Sequence, residues 1–170
     1  MAKPRTTKLQ KVAGSTFEIK LSSADRHFLK DLAKLGVISD DLASSQHYKG
    51  RKTPSHKRLD RLVEARILKR HTVRNPLGGS VKAYTFANSS VAKAYGGVFK
   101  ANARSRSIGH DLIVSRLYYA TGQPTDFTIE SRFDGKHLKA CNTGNQHLRP
   151  DAMFTDSSGD LVFVEKIGRA

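Results

Sequence analysis

The chain has 170 residues, 38% of them hydrophobic, which is enough to bury one full core or two small ones and excludes a long disordered protein. Lys and Arg number 30 against 15 Asp and Glu; the net charge of +15 draws in polyanions, and nucleic acid is favoured over lipid because no apolar amphipathic helix carries the charge. No run approaches the ~18 apolar residues of a membrane span, and Met1-Ala2-Lys3-Pro4-Arg5 lacks the apolar stretch of a secretory signal, so a cytoplasmic location is expected.

Residues 1–16 are rich in Lys, Arg and Thr without an apolar period, which predicts either a basic tail that tracks phosphates or a frayed terminus without a role. Phe17, Ile19 and Leu21 alternate with Glu18 and Lys20, the period of a short strand. Ser22 with Asp25 three residues later forms a short capping box. Ala24, Phe28, Leu32 and Leu35 follow at helical spacing and Gly36 stops the run, so a helix is expected over about 23–35. Val37-Ile38 and Ser39-Asp40-Asp41-Leu42 open a shorter second helix reaching about Ser45, followed by a polar turn to Gly50.

Thr53-Pro54 starts a third helix, because proline at the first helical position gives up an N–H that has no helical partner anyway. Leu59, Leu62, Val63 and Arg66 share one face; Lys57 and Arg61 project from the opposite one, with Arg58 on the flank. Residues 67–74 and 81–86 have strand composition, and the turn Asn75-Pro76-Leu77-Gly78-Gly79-Ser80 joins them as a hairpin. Leu68, Tyr84 and Phe86 are the hairpin residues expected to pack on the first helix.

Helices followed by a basic helix and a β-hairpin are the order of a winged helix-turn-helix, here over residues 17–90. The charge fits: residues 1–100 hold 21 Lys and Arg against 7 Asp and Glu, a net of +14, whereas residues 101–170 hold 9 against 8. Double-stranded DNA is the expected partner, with Lys57 and Arg61 aimed into the major groove, Arg58 on the flank, Arg51 and Lys52 as further nucleic-acid-binding residues, and Arg70, Arg74 and Lys82 of the wing at the backbone. Two other readings stand: a solvated basic face on an ordinary surface helix, and a protein that binds structured RNA.

Residues 91–106, rich in Ala, Ser, Lys and Gly, are expected to form a partly flexible helical connector interrupted by Gly96-Gly97. Residues 108–120 form a helix with Ile108, Leu112, Val114, Leu117 and Tyr118 mostly on one side, which makes Tyr118-Tyr119 packing residues before nucleophiles. Phe127 and Ile129 mark a strand with Glu130 on its other face. A polar loop or loose hairpin over 134–146 contains the lone Cys141, which cannot form an internal disulfide and is a poor zinc anchor. His147 to Phe154 reads as a second strand, Asp156 to Gly159 as a tight turn and Leu161 to Glu165 as a buried third strand. The fold class is therefore α+β, with a winged helix-turn-helix followed by a small domain over 107–170.

Pro150-Asp151 and a strand ending in Glu165, 14 residues later, follow the order of a nuclease core. Two carboxylates at adjacent strand ends make a hard-oxygen site for Mg²⁺ or Mn²⁺, which polarises a phosphodiester and activates water. Alternatively, Asp151 and Glu165 are simply a turn acid and an edge-strand acid.

With His110 on the helix, Glu130, Leu148-Arg149-Pro150-Asp151-Ala152 and Val162-Phe163-Val164-Glu165, the chain resembles the replication-relaxation and MobC-type plasmid relaxases over roughly residues 21–166. The resemblance implies DNA binding at an origin in plasmid mobilisation, relaxosome proteins as further partners, and metal-dependent nicking by a restriction-nuclease-like α/β domain. It matches Asp151 and Glu165 to the metal-binding acids and puts Glu130 and His110 beside them as catalytic candidates. The family's Lys two residues after the strand Glu is Ile167 here, Lys166 has the opposite parity, and Arg169 has the right parity but lies at the end of the chain. The family's core also continues with a helix and another strand, so a fragment or a reduced, non-catalytic domain is expected, the latter fitting a DNA-binding accessory protein or repressor.

Overall fold

A computed structural model describes residues 19–50, 52–74, 78–97, 99, 105–130, 133–134, 136–137, 142–143, 146–147 and 150–165. Several expectations lie outside these residues: the basic tail, Phe17, Arg51, the turn residues Asn75 to Leu77, Cys141, Leu148, Arg149, and Lys166, Ile167 and Arg169. The protein is mixed α+β and divides into two compact units, Met1–Leu112 and Ile113–Ala170.

In the first unit, α1 spans Ser23–Leu35. Both halves of its capping box form: Ser22 Oγ accepts from the Asp25 N–H at 3.2 Å, and Asp25 Oδ2 accepts from the Ser22 N–H at 2.6 Å. Gly36 closes the helix in the left-handed region, φ 79°, donating to Leu32 O at 2.8 Å. Phe28, Leu29, Leu32 and Leu35 form its buried stripe.

Ile38–Ser39 form strand β1, a correction to the second helix expected to open at Val37. Two residues are too short to show a strand period, and tertiary pairing decides: Ile38 faces Tyr84 and Ser39 faces Ala83. Helix α2 then runs over Asp40–His47 and α3 over Lys52–Glu64. Strands β2 (Leu68–Arg74) and β3 (Ser80–Phe86) pair antiparallel from Leu68 opposite Phe86 to Arg74 opposite Ser80. The order β1-β3-β2 makes a three-stranded sheet. Gly78 and Gly79 occupy positive φ, 105° and 72°, where a β-carbon would be strained.

Arg66 does not lie on the α3 face that was expected to hold it. The Arg66 N–H donates to Val63 O and the Ile67 N–H to Leu62 O, a Schellman closure that leaves Arg66 exposed at φ 55°.

The segment expected as a connector begins with a packed turn. Asn88 Oδ1 accepts from the Val91 N–H at 2.9 Å and caps α4, Ser89–Ala94, which buries Val91 and Ala92. Gly97 lies so close that a β-carbon would sit 2.8 Å from Phe86 Cε2 and 3.1 Å from Ala33 Cα. Helix α5, Ser105–Ala120, opens inside the first unit: Ile108 and Leu112 join Val37, Val73 and Ala83 in one buried cluster, with Val81 against it.

In the second unit, Tyr118 packs edge-on to Phe127 at 5.2 Å between ring centres, and Phe127 stacks on Phe154 at 5.6 Å. Strands β4 (Thr128–Ile129), β7 (Ala152–Thr155) and β8 (Leu161–Val164) form an antiparallel sheet in the order β4-β7-β8; β5 (Asn142–Thr143) and β6 (Gln146–His147) form a separate two-stranded hairpin. The single strand expected from His147 to Phe154 is therefore two strands. The third strand expected to be buried is not: in β8, Leu161 is 46% and Phe163 37% exposed.

Candidate nucleic-acid interface

Helix α3 is seated by an apolar stripe and an ionic anchor. Leu59 and Leu62 are fully buried, and Ser55 beside them donates to Lys52 O at 2.7 Å and shares a 3.1 Å hydroxyl contact with Ser44 Oγ of α2. The anchor is Asp25, fully buried near the start of α1. Its carboxylate accepts from Arg58 Nε at 2.9 and 3.0 Å, from Arg58 Nη2 at 2.5 Å, from Ser22 Oγ at 2.7 Å and from Tyr48 Oη at 3.0 Å. Burial alone would raise the Asp25 pKa, but the hydrogen bonds from Arg58 and Ser22 outweigh it and hold the carboxyl below its ordinary value. Conversely, the hydrogen bond to Asp25 raises Arg58, and burial together with the Asp25 charge raises Tyr48.

Arg58 was expected as a nucleic-acid donor on the flank of α3. Its Nε and Nη2 are instead directed at Asp25, and Nη2 also at Lys20 O, 2.5 Å away. It acts as a strut between α3 and α1.

The outward stripe of α3 carries Thr53, Lys57, Arg61 and Glu64, all exposed and successive at helical spacing. Neither Lys57 nor Arg61 makes an ion pair among the described residues. The flanks are engaged: His56 Nε2 lies 3.4 Å from Asp40 Oδ2, and Asp60 Oδ1 accepts from Arg70 Nη1 at 2.7 Å. This second contact ties α3 to the hairpin.

Directly opposed residues of an antiparallel pair share a face. Arg70, Thr72, Arg74, Ser80 and Lys82 thus occupy one face of the hairpin, and the Arg70–Asp60 contact orients that face with α3. The other face carries Val73, Ala83 and Val81 and is covered by Ile108 and Leu112. Arg74, Lys82 and Lys52 are exposed like Lys57 and Arg61. Lys69, on the covered face's side but exposed, was not singled out from the sequence; burial, and after it the Lys69 charge, lowers the pKa of His71, which shares a 3.0 Å contact with Thr85 Oγ1. Asp60 and Tyr48 were missed too, because partners 10 and 23 residues apart leave no local pattern.

The acids of the second unit fall into one row. Ile129 faces Ala152 and Ala152 faces Val164, so the next position across the three strands holds Glu130, Asp151 and Glu165. The Glu130 N–H donates to Asp151 O at 2.9 Å and the Asp151 N–H to Val164 O at 2.6 Å. Asp151 is half-buried, and Glu130 and Glu165 are exposed. Their oxygens suit Mg²⁺ or Mn²⁺ in type, but among the described residues no three His, Cys, Asp or Glu side chains gather closely enough to hold a metal, so the fit is incomplete. His110 lies on the part of α5 that belongs to the first unit, with Nδ1 3.6 Å from Asp111 Oδ1. No helix among the described residues is long and apolar enough to cross a membrane.

Comparison of the chain with family models, curated proteins and solved structures finds no match.

Proposed function

We propose that this protein binds double-stranded DNA through a winged helix-turn-helix made of α1, α2, α3 and the β2–β3 hairpin. The observation that carries the proposal is the joining of two cationic surfaces by one contact: Asp60 of α3 holds Arg70 of the hairpin, and the uncompensated donors Lys57 and Arg61 lie on one side of it, Lys82 and Arg74 on the other. A helix about 11 Å across fits the major groove while a hairpin beside it follows the phosphates. A merely solvated basic helix would have no need of a buried carboxylate fixing its approach to α1.

Titrating a labelled duplex with the whole protein at two salt concentrations tests this. Binding that falls steeply with salt, and that Lys82→Ala weakens alike on all sequences while Arg61→Ala weakens by about 1–3 kcal/mol on a preferred one, is the expected result. Equal affinity for structured RNA, or no binding, overturns it.

A second reading, strand nicking in plasmid mobilisation, is favoured by the row of Glu130, Asp151 and Glu165 at one sheet end. Incubating supercoiled DNA bearing the cognate origin with Mg²⁺ or Mn²⁺ decides it: nicking abolished by Asp151→Ala and Glu165→Ala supports it, and its absence leaves a non-catalytic accessory protein or repressor.

A further inference from the structure

We infer that the outward stripe of α3 selects guanine-containing steps, reading the major-groove edges of two guanines through Lys57 and Arg61; this rests on the duplex-DNA proposal. Base edges in the major groove differ in their donors and acceptors: guanine offers O6 and N7, both acceptors, whereas adenine pairs an acceptor with the N6 donor. Arg and Lys have donors only and match guanine; Asn and Gln have both and match adenine.

Helix α3, Lys52-Thr53-Pro54-Ser55-His56-Lys57-Arg58-Leu59-Asp60-Arg61-Leu62-Val63-Glu64, contains no Asn or Gln. Three of its polar side chains are occupied: Arg58 by Asp25, His56 by Asp40 and Asp60 by Arg70. The exposed donors at the centre of the stripe are then Lys57 and Arg61. Glu64, one turn further, accepts only, and the base that offers it a donor without a neighbouring acceptor is cytosine, through N4. Thr53 discriminates little. The stripe thus favours G·C pairs at each charged position.

Spacing adds a constraint. Four residues at 1.5 Å put Lys57 and Arg61 about 6 Å apart along the helix axis, and base pairs rise about 3.4 Å, so the two side chains address positions one or two steps apart. The Arg58–Asp25 pair and the buried Leu59 and Leu62 fix which side of α3 faces outward and so make the spacing meaningful, since a helix free to roll would present the flank residues as readily.

The test compares binding of the whole protein, at one salt concentration, to duplexes of equal length: random-sequence DNA with both guanines and adenines, an A·T-only duplex, the mixed duplex with guanine replaced by 7-deazaguanine, and the mixed duplex with guanine replaced by inosine. The mixed, guanine-containing duplex should bind about tenfold or more tightly than the A·T duplex, since one good bidentate pair is worth about 1–3 kcal/mol. Loss of N7 should remove most of that preference, and inosine, which keeps O6 and N7 but lacks the minor-groove amino group, should retain it. Lys57→Met and Arg61→Met, both at exposed positions, should weaken binding to the guanine-containing duplex more than to the A·T duplex and so flatten the preference, with a smaller loss common to both from the removed charge. Equal binding of the A·T and G-containing duplexes, or indifference to 7-deazaguanine, overturns guanine selection and leaves duplex binding in place. Failure to bind any of the four overturns both.

Discussion

Replacing Arg58 with methionine removes the guanidinium and keeps most of the aliphatic stem. Among the described residues, the Asp25 carboxylate then retains the Ser22 and Tyr48 donors inside a fully buried site. Stranding one member of a buried pair costs about 3–5 kcal/mol; because the Arg58 side chain is 21% exposed, the low end, about 3 kcal/mol, is expected. For a domain of about 100 residues that lowers Tm by roughly 12 °C or more. Urea denaturation followed by far-UV circular dichroism measures it.

The effect carries a pH signature. Asp25 has a folded pKa below its ordinary value, so its contribution is present above that ordinary value and is lost as pH falls through the folded one. In acid the carboxyl is protonated, the ion pair is gone, and the variant should differ less from the parent. A loss under about 0.5 kcal/mol at neutral pH, within the range of ordinary surface substitutions, would refute the strut assignment, as would equal losses at pH 7 and pH 3. Weakened DNA binding with unchanged stability would instead return Arg58 to the set of direct DNA donors.

Asp60→Asn should raise non-specific DNA affinity several-fold, because it removes a negative charge between the two cationic surfaces and frees Arg70, while the exposed pair contributes only about 0.2–1 kcal/mol to stability; a salt-dependent binding titration measures it. Gly97→Ala should destabilise by about 1–3 kcal/mol in thermal unfolding, since the added methyl meets the Ala33 backbone and the Phe86 ring, which is itself stacked on Tyr95. Arg66→Gly should stabilise by about 0.5–1 kcal/mol in the same assay, because the left-handed position closing α3 suits glycine and the Arg66 side chain is exposed.

Local signals sufficed for the α1 boundaries, since the Ser22–Asp25 box and Gly36 act within four residues of themselves, and for the β2–β3 hairpin, whose turn needs the positive φ of Gly78 and Gly79. They also placed Lys57 and Arg61 on the outward side of α3, because that depends only on 100° steps around a helix. Strand β1 was illegible: two residues have no period, and only the edge offered by β3 makes Ile38–Ser39 extended. The partner of Arg58 was illegible too, as Asp25 lies 33 residues away and already had a local explanation as a cap. The same holds for where the first unit ends: α5 is one continuous helix in sequence, but Ile108 and Leu112 find their apolar neighbours, Val37, Val73 and Ala83, on the back of the hairpin. Charge, caps and periodicity act over a turn or two of chain and are written in residue order; ion pairs, sheet edges and shared cores join residues that only folding brings within reach.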